Sequence, residues 1–281
     1  MNIPKIIWSY WEDGADSAPD VVKTCFASWK KLNSGYDIRI LDKNSFAQHT
    51  SALRSLDLFR DDITVVKRAN LIRLAVLHEH GGIWADATLF CNQALDEWLP
   101  DYLTSGFFAF RNEKKARDVC TWFLASQPEN ALTAAFLTEY RRNFEETIYT
   151  NQDKPYYKPV IKLLSLVLNR NTYLSQFWVH PWLRRTFKMY PYFHMHFTFN
   201  KIIYRRGEAD QIWQRTPVYF RSCSSYLRKA VSGGTDMAEI EDFIQSAGSP
   251  VHKLNWRSNY SSERWQQAFG FLDAYVRSHS K

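Results

Sequence analysis

Apolar and polar positions change period several times along the first third of the chain. Lys5 to Tyr10 (KIIWSY) is β-branched and aromatic and runs into the turn-prone Glu12-Asp13-Gly14, which predicts a first strand. Val21, Val22, Cys25, Phe26 and Trp29 then recur at helical spacing behind Asp20, a residue able to cap a helix. Gly35 lets the chain turn into a second strand, Tyr36 to Leu41. A long helical pattern from about Thr64 to His80 stops at Gly81-Gly82, and Ile83 to Phe90 reads as a third strand. Strand, helix, strand, helix, strand is the order of a parallel α/β sheet.

Beyond a further strand at Phe107 to Arg111 the pattern predicts helices at about Ala116 to Ala125, Ala131 to Asn143, Val160 to Leu168 and Trp178 to Lys188. Tyr190 to Tyr204 (YPYFHMHFTFNKIIY) fits neither period. Val251 to Leu254 reads as a return to the sheet, followed by an amphipathic helix around Ser262 to Arg277. With no internal repeat and no Gly/Ser-rich linker, the expectation is a single domain over 1–281. Its ligand-binding core spans about 1–112 and 246–260, with a mostly helical addition over about 113–245.

Ligands of open α/β sheets bind at the carboxyl ends of strands, which directs attention to Asp86 in GGIWADAT. Its carboxylate and the Thr88 hydroxyl project to one side of an extended chain, where they can meet a hard cation; Asp86 can equally be a turn residue. On the preceding helix Lys67, Asn70, Arg73 and Leu77 share a face, with Val65, Ala69, Ile72 and Val76 on another. Arg73 offers a fork for phosphate or sugar hydroxyls and Asn70 a donor and an acceptor, against the alternative of a solvated polar stripe. Late in the chain His252 and Lys253 stand side by side, one a candidate metal ligand and the other a candidate phosphate contact. Trp8, Tyr10 and Trp11 close the first strand; one ring can stack on a nucleobase, and core packing explains Trp8 as well. His78 and His80 do not face one ligand on a helix, and packing accounts for His194 and His196 better than metal binding does. The absence of GxGxxG and Walker A segments argues against hydride transfer and nucleotide triphosphate hydrolysis.

Taken together, IPKIIWSYWEDG, the helix containing Cys25 to Lys30, NLIRLAVLHEHGGIWADATLF and VHKLNW resemble the capsular polysaccharide synthesis protein family. The likeness is most specific over about residues 3 to 90. It is weaker through TWFLASQPENAL and YPYFHMHF and returns at His252. The family is related to the DxD-bearing sugar transferases that include the yeast mannosyltransferases and the clostridial glucosylating toxins. The resemblance implies a GT-A-like (Rossmann-like) nucleotide-sugar-binding sheet, a donor usually linked to UDP, and transfer with retention of anomeric configuration. The acceptor it implies is a surface or capsular polysaccharide or a lipid-linked glycan.

By position, Asp86 matches the first Asp of the family's DxD element, and Thr88 stands where the wider group has its second Asp. Arg73 matches the Arg of an Asp-x-x-Arg element that contacts the donor sugar, with Asn70 in place of its Asp. The resemblance thus makes Asp86, Arg73 and Asn70 the catalytic group. It adds Thr88 to the donor site, where the residue reading also puts Trp8, Tyr10, Trp11 and Lys253, and implies Mn2+ or Mg2+ held by Asp86 and His252. The degenerate Asp-Ala-Thr also admits a non-catalytic glycan- or membrane-binding protein.

The chain has 281 residues, 16% of them aromatic, which argues against disorder, and a formal charge of +7, which suits a polyanionic partner. Nucleic acid ranks last, because the basic residues are dispersed and carry no recognition motif. The Trp182 to Arg206 segment mixes Arg184, Arg185, Lys188, Lys201, Arg205 and Arg206 with many rings, as suits peripheral contact with an anionic membrane; ordinary surface charge explains it equally. Four widely spaced cysteines without a Cys-x-x-Cys pair read as buried free thiols. The start at Met1 lacks a signal-peptide pattern, so the expected location is the cytoplasm or the cytoplasmic face of the membrane.

Overall fold

A computed structural model describes residues 3–114, 116–146 and 154–280; Met1 and Asn2, which bear on the targeting expectation, lie outside them. Strands β1 (Ile6–Tyr10), β2 (Asp37–Leu41) and β3 (Gly82–Ala85) are parallel neighbours. Chain segments β4 (Leu89–Cys91), β5 (Phe107–Arg111) and β6 (Val119–Ser126) follow, and β7 is Val251–Lys253. The main sheet has the order β2-β1-β3-β6-β5, with β6 antiparallel to both of its neighbours, and β4 pairs with β7 in a separate two-stranded sheet.

The α-helices among the described residues are α1 (Asp20–Leu32), α2 (Val65–His80), α3 (Leu95–Trp98), α4 (Ala131–Arg141), α5 (Tyr157–Leu168) and α6 (Thr172–Ser175). They continue with α7 (Pro181–Arg185), α8 (His194–Ile203), α9 (Glu208–Arg215), α10 (Ser222–Gly233), α11 (Met237–Gln245) and α12 (Glu263–His279). Alternation along the strands builds two cores. Ile7, Ile83, Phe108 and Phe123 face α1, α10, α11 and α12, whereas Trp8, Trp84, Ala109 and Leu124 face α2, α4, α8 and α9. The result is an α/β sheet covered on both faces.

Several expectations change. The run expected as a helix over Ala116 to Ala125 instead forms β6, an inner strand of the sheet between β3 and β5, so the core continues past residue 112. The expected third strand divides at Asp86-Ala87-Thr88, where a turn closed by Leu89 N–H donating to Asp86 O (2.8 Å) separates β3 from β4. Val251 to Lys253 joins β4 and leaves the main sheet alone. Pro181 splits the expected helix Trp178 to Lys188 into a 3-10 turn at Gln176–Val179 and α7. Pro19, not Asp20, precedes the first helical residue of α1, and Asp20 opens the first turn, where its charge favours the helix N-terminus. Tyr190 to Tyr204, which fits no period, contains α8.

The passage from α2 into β3 turns on two glycines with positive φ, Gly81 at 66° and Gly82 at 93°. A Cβ on Gly82 would lie 2.6 Å from the backbone O of Ile6 on the adjacent strand. Gly82→Ala should therefore cost about 3 kcal/mol in urea unfolding. A loss under about 1 kcal/mol would mean that β1 and β3 can separate without strain.

His194 and His252 are buried, and neither ring nitrogen of either has a hydrogen-bond partner. Burial lowers His252 to about 3 and holds His194 well below its ordinary value, so both are neutral in the fold. For a base with a depressed pKa the unfolded chain binds the proton first. Stability should therefore fall as pH drops below about 6.5, by up to about 1.4 kcal/mol per pH unit for each ring. His252→Phe should flatten this acid limb by one proton in urea titrations between neutral and mildly acid pH. A limb of unchanged slope would reject the neutral burial of His252.

Candidate functional site

The break between β3 and β4 leaves Asp86 at the carboxyl edge of the parallel strands, with its N–H donating to the O of Trp122 on β6 (2.9 Å). Its carboxylate is held from three directions. Arg73 Nη2 on α2 is 2.5 Å from Oδ1, Trp84 Nε1 donates to the same oxygen at 2.9 Å, and Lys253 Nζ on β7 is 3.0 Å from Oδ2. Lys253 also donates to Thr88 Oγ1 at 2.6 Å. The Arg73 side chain is only 6% exposed and lies over the Trp84 ring, with its cation 4.9 Å from the centroid. Burial raises the Asp86 carboxyl, but the charges of Lys253 and Arg73 and the hydrogen bonds from Trp84 and Lys253 outweigh it and hold it below the usual carboxylate range.

Arg73, Asp86 and Lys253 line a cleft of about 480 Å³. Arg73 and Lys253 are joined in its wall by Arg117, Arg221 and Arg228, and Asp86 is the sole carboxylate among the described residues that line it. Asn70 lines it too, with its Nδ2 donating to Tyr140 Oη at 3.2 Å. Arg117 sits over the Phe193 ring at 3.7 Å. His196 also faces the cleft, and burial together with Arg117, Arg73 and Arg221 lowers it to about 3, so it presents a neutral imidazole.

Of the residues expected from sequence, Asp86, Arg73, Asn70, Thr88 and Lys253 therefore come together. His252 does not. On β7 it points opposite to Lys253, pairs with Phe90 across the ladder and packs 5.9 Å from the Phe243 ring, fully buried. Trp8 is fully buried, with Nε1 donating to Gly81 O (2.9 Å) and its ring against His49 and His80. Tyr10 is also buried and donates to Glu12 Oε2 at 2.6 Å, and Glu12 in turn pairs with Arg68. Trp11 follows the end of β1, at the same edge of the sheet as Asp86, and meets Trp256 edge-on at 5.7 Å.

The donor set does not fit a resident divalent ion. Both Asp86 oxygens already accept from cations, His252 faces away, and no three His, Cys, Asp or Glu side chains cluster among the described residues. Sequence reasoning missed Arg117, Arg221, Arg228 and His196. Arg221, Ser225 and Arg228 do carry a readable signal, since spacings of four and three put them on one helical face. Only the tertiary fold points that face at Asp86; residue 221 is anchored to β5 by Arg221 N–H donating to Arg111 O at 3.0 Å. All four cysteines are free, three of them buried, and no helix among the described residues is long and apolar enough to cross a membrane.

Several similar proteins are named as glycosyltransferases. HOC1 of Saccharomyces cerevisiae, provisionally named a glycosyltransferase, is 21% identical over 60% of this chain and 40% of its own. The O-glycosyltransferase braB of Annulohypoxylon truncatum is 25% identical over 64% of this chain and 41% of its own. The uncharacterised glycosyltransferase L373 of Acanthamoeba polyphaga mimivirus is 28% identical over 38% of this chain and 42% of its own. The chain thus spans about two fifths of the length of these relatives. Among solved structures, the PaToxG glycosyltransferase superposes with a TM-score of 0.37 at 14% identity, covering 71% of this chain and 87% of that one, a likeness too distant to assign a fold. The model of the capsular polysaccharide synthesis protein family matches residues 1–272, so the chain belongs to that family.

Proposed function

We propose that the chain is a glycosyltransferase of GT-A-like fold. In this reading it binds a UDP-linked sugar in the Asp86 cleft and passes the sugar, with retention, to a growing surface or capsular polysaccharide or a lipid-linked glycan. The observation that carries this reading is the charge of the cleft, in which five cations surround one carboxylate in a cavity of ligand size. A nucleoside diphosphate brings the anion that such a wall accommodates. Family membership and the names of the relatives agree with it.

Glycosyl transfer develops positive charge at the anomeric carbon and negative charge on the departing diphosphate. Arg221, Arg228, Arg117 and Lys253 can meet that negative charge where it grows. Lys253 is the mobile member, a point charge on a flexible stem that phosphate oxygens can draw away from Asp86. Arg73 stays, pinned by Asp86 and stacked on Trp84, and with Asn70 offers donors to the sugar hydroxyls. Trp11 and Trp256, at the same edge of the sheet, offer aromatic faces for the base.

With Asp86 held by two cations, the described lining has no second carboxylate to attack the opposite face of the sugar. That favours same-face displacement. The acceptor oxygen bonds to the anomeric carbon, the bond to the diphosphate breaks, and the leaving phosphate takes the acceptor proton. In this scheme the cations of the wall do the work that a divalent ion does elsewhere.

A panel of UDP-sugars, followed by calorimetry and by UDP release with and without EDTA, tests the reading. Donor binding and turnover should survive EDTA, and Lys253→Ala should lower kcat roughly 100-fold. Turnover abolished by EDTA and restored by Mn2+ would return the leaving group to a metal. Absence of any UDP-sugar binding would leave a non-catalytic binding protein.

A further inference from the structure

Helix α5 is out of balance with its surroundings. Eight of its twelve residues (YKPVIKLLSLVL) are Tyr, Val, Ile or Leu, yet only Tyr157 is buried. A helix this apolar normally packs on several sides. Here Val160, Ile161, Leu164 and Leu168 lean on a small satellite core, and Leu163 (66% exposed), Leu166 (62%) and Val167 face outward. The apolar surface does not stop at the helix end. Tyr173 and Phe177 are exposed and meet edge-on at 6.0 Å, and Tyr204 joins Tyr173 at 5.5 Å. Trp182 and Phe187 form another exposed pair at 4.6 Å.

On α5 and just after it the exposed charges are of one sign, whereas Arg185, Lys201 and Arg205 farther along pair with Glu146 and Glu139. From residue 154 to residue 207 the sequence holds ten Lys and Arg and no Asp or Glu. That exceeds the +7 of the whole chain and leaves the rest of the molecule net acidic. On α5 itself Lys158, Lys162 and the nearby Arg170 are exposed beside the outward leucines. Leucines that enter an acyl layer while lysines reach its headgroups are what an interfacial helix requires.

We infer that the outer face of α5, with the rings of Tyr173, Phe177 and Trp182, docks on an anionic lipid surface. Charge complementarity selects this occupant. A second copy meeting this face by two-fold symmetry would set like charges against each other, whereas anionic headgroups neutralise them. The satellite core under α5 includes Phe193, which also lines the cleft, so docking here holds the cleft near the lipid surface. The inference stands apart from the catalytic reading, since it needs no donor or turnover.

Co-sedimentation of the full chain with vesicles of phosphatidylcholine, with and without phosphatidylglycerol, tests it. Binding should require phosphatidylglycerol, weaken with added salt, and fall roughly tenfold or more in Leu163→Asp/Leu166→Asp. These positions are exposed, so circular dichroism and the binding of UDP-sugars in solution should not change. Equal binding to neutral vesicles, a double variant that sediments like the parent, or a dimer in light scattering that the two substitutions dissolve would each overturn the proposal.

Discussion

The ion cluster at Asp86 is the constraint on which the site depends. It joins α2, through Arg73, and the β3–β4 break that follows it, through Asp86 itself, to the distant β7 through Lys253. Arg73 is almost fully buried, and a guanidinium does not give up its proton in a protein, so that charge needs a fixed counter-charge. Asp86 supplies it. With Lys253 on its other oxygen, Asp86 is a poor ligand for a divalent ion, and the same pairing that makes α2 compatible with the sheet sets the electrostatics of the cleft. Structure and chemistry are therefore not separable at this residue.

Much of this was legible in the chain. The glycines at 81 and 82, the helix before them and the strand after them marked where Asp86 would emerge, because each rests on local backbone rules. What could not be read locally was burial on more than one side. Residues 71 to 77 of α2 are all buried, since α4 covers the helix from the face away from the sheet. A stripe that looks solvated in sequence is thus interior, and Arg73 becomes a buried charge. β6 failed for the same reason: VCTWFLAS is apolar almost throughout, so it lacks the alternation that separates strand from helix.

His252 and Lys253 show a sharper limit. Adjacent residues on a strand face opposite ways, so at most one could reach Asp86. The pairing of β7 with β4, which puts Lys253 opposite Leu89, decides which one. A register shifted by one residue would have exchanged their roles. His194 and His196 obey the helical version of this rule. In α8 they diverge, His194 stacking on Tyr190 at 4.1 Å in the interior and His196 facing the cleft.

The positive charge of the protein divides into two parts with different physics. The cations of the cleft lie at 73, 117, 221, 228 and 253, outside the acid-free stretch, and converge on one small volume. Of those at residues 154 to 207, Lys158, Lys162 and Arg170 are exposed on and just after α5 beside the outward Leu163 and Leu166, whereas Arg185, Lys201 and Arg205 pair with Glu146 and Glu139. Converging charge suits a compact anion such as a diphosphate, because several donors must reach the same few oxygens. Dispersed charge beside exposed leucines suits an extended anionic surface, because each cation meets a different headgroup and the apolar groups gain only where a nonpolar layer lies beneath. Net charge alone could not distinguish these ligands; the spacing of the charges, and what stands between them, can.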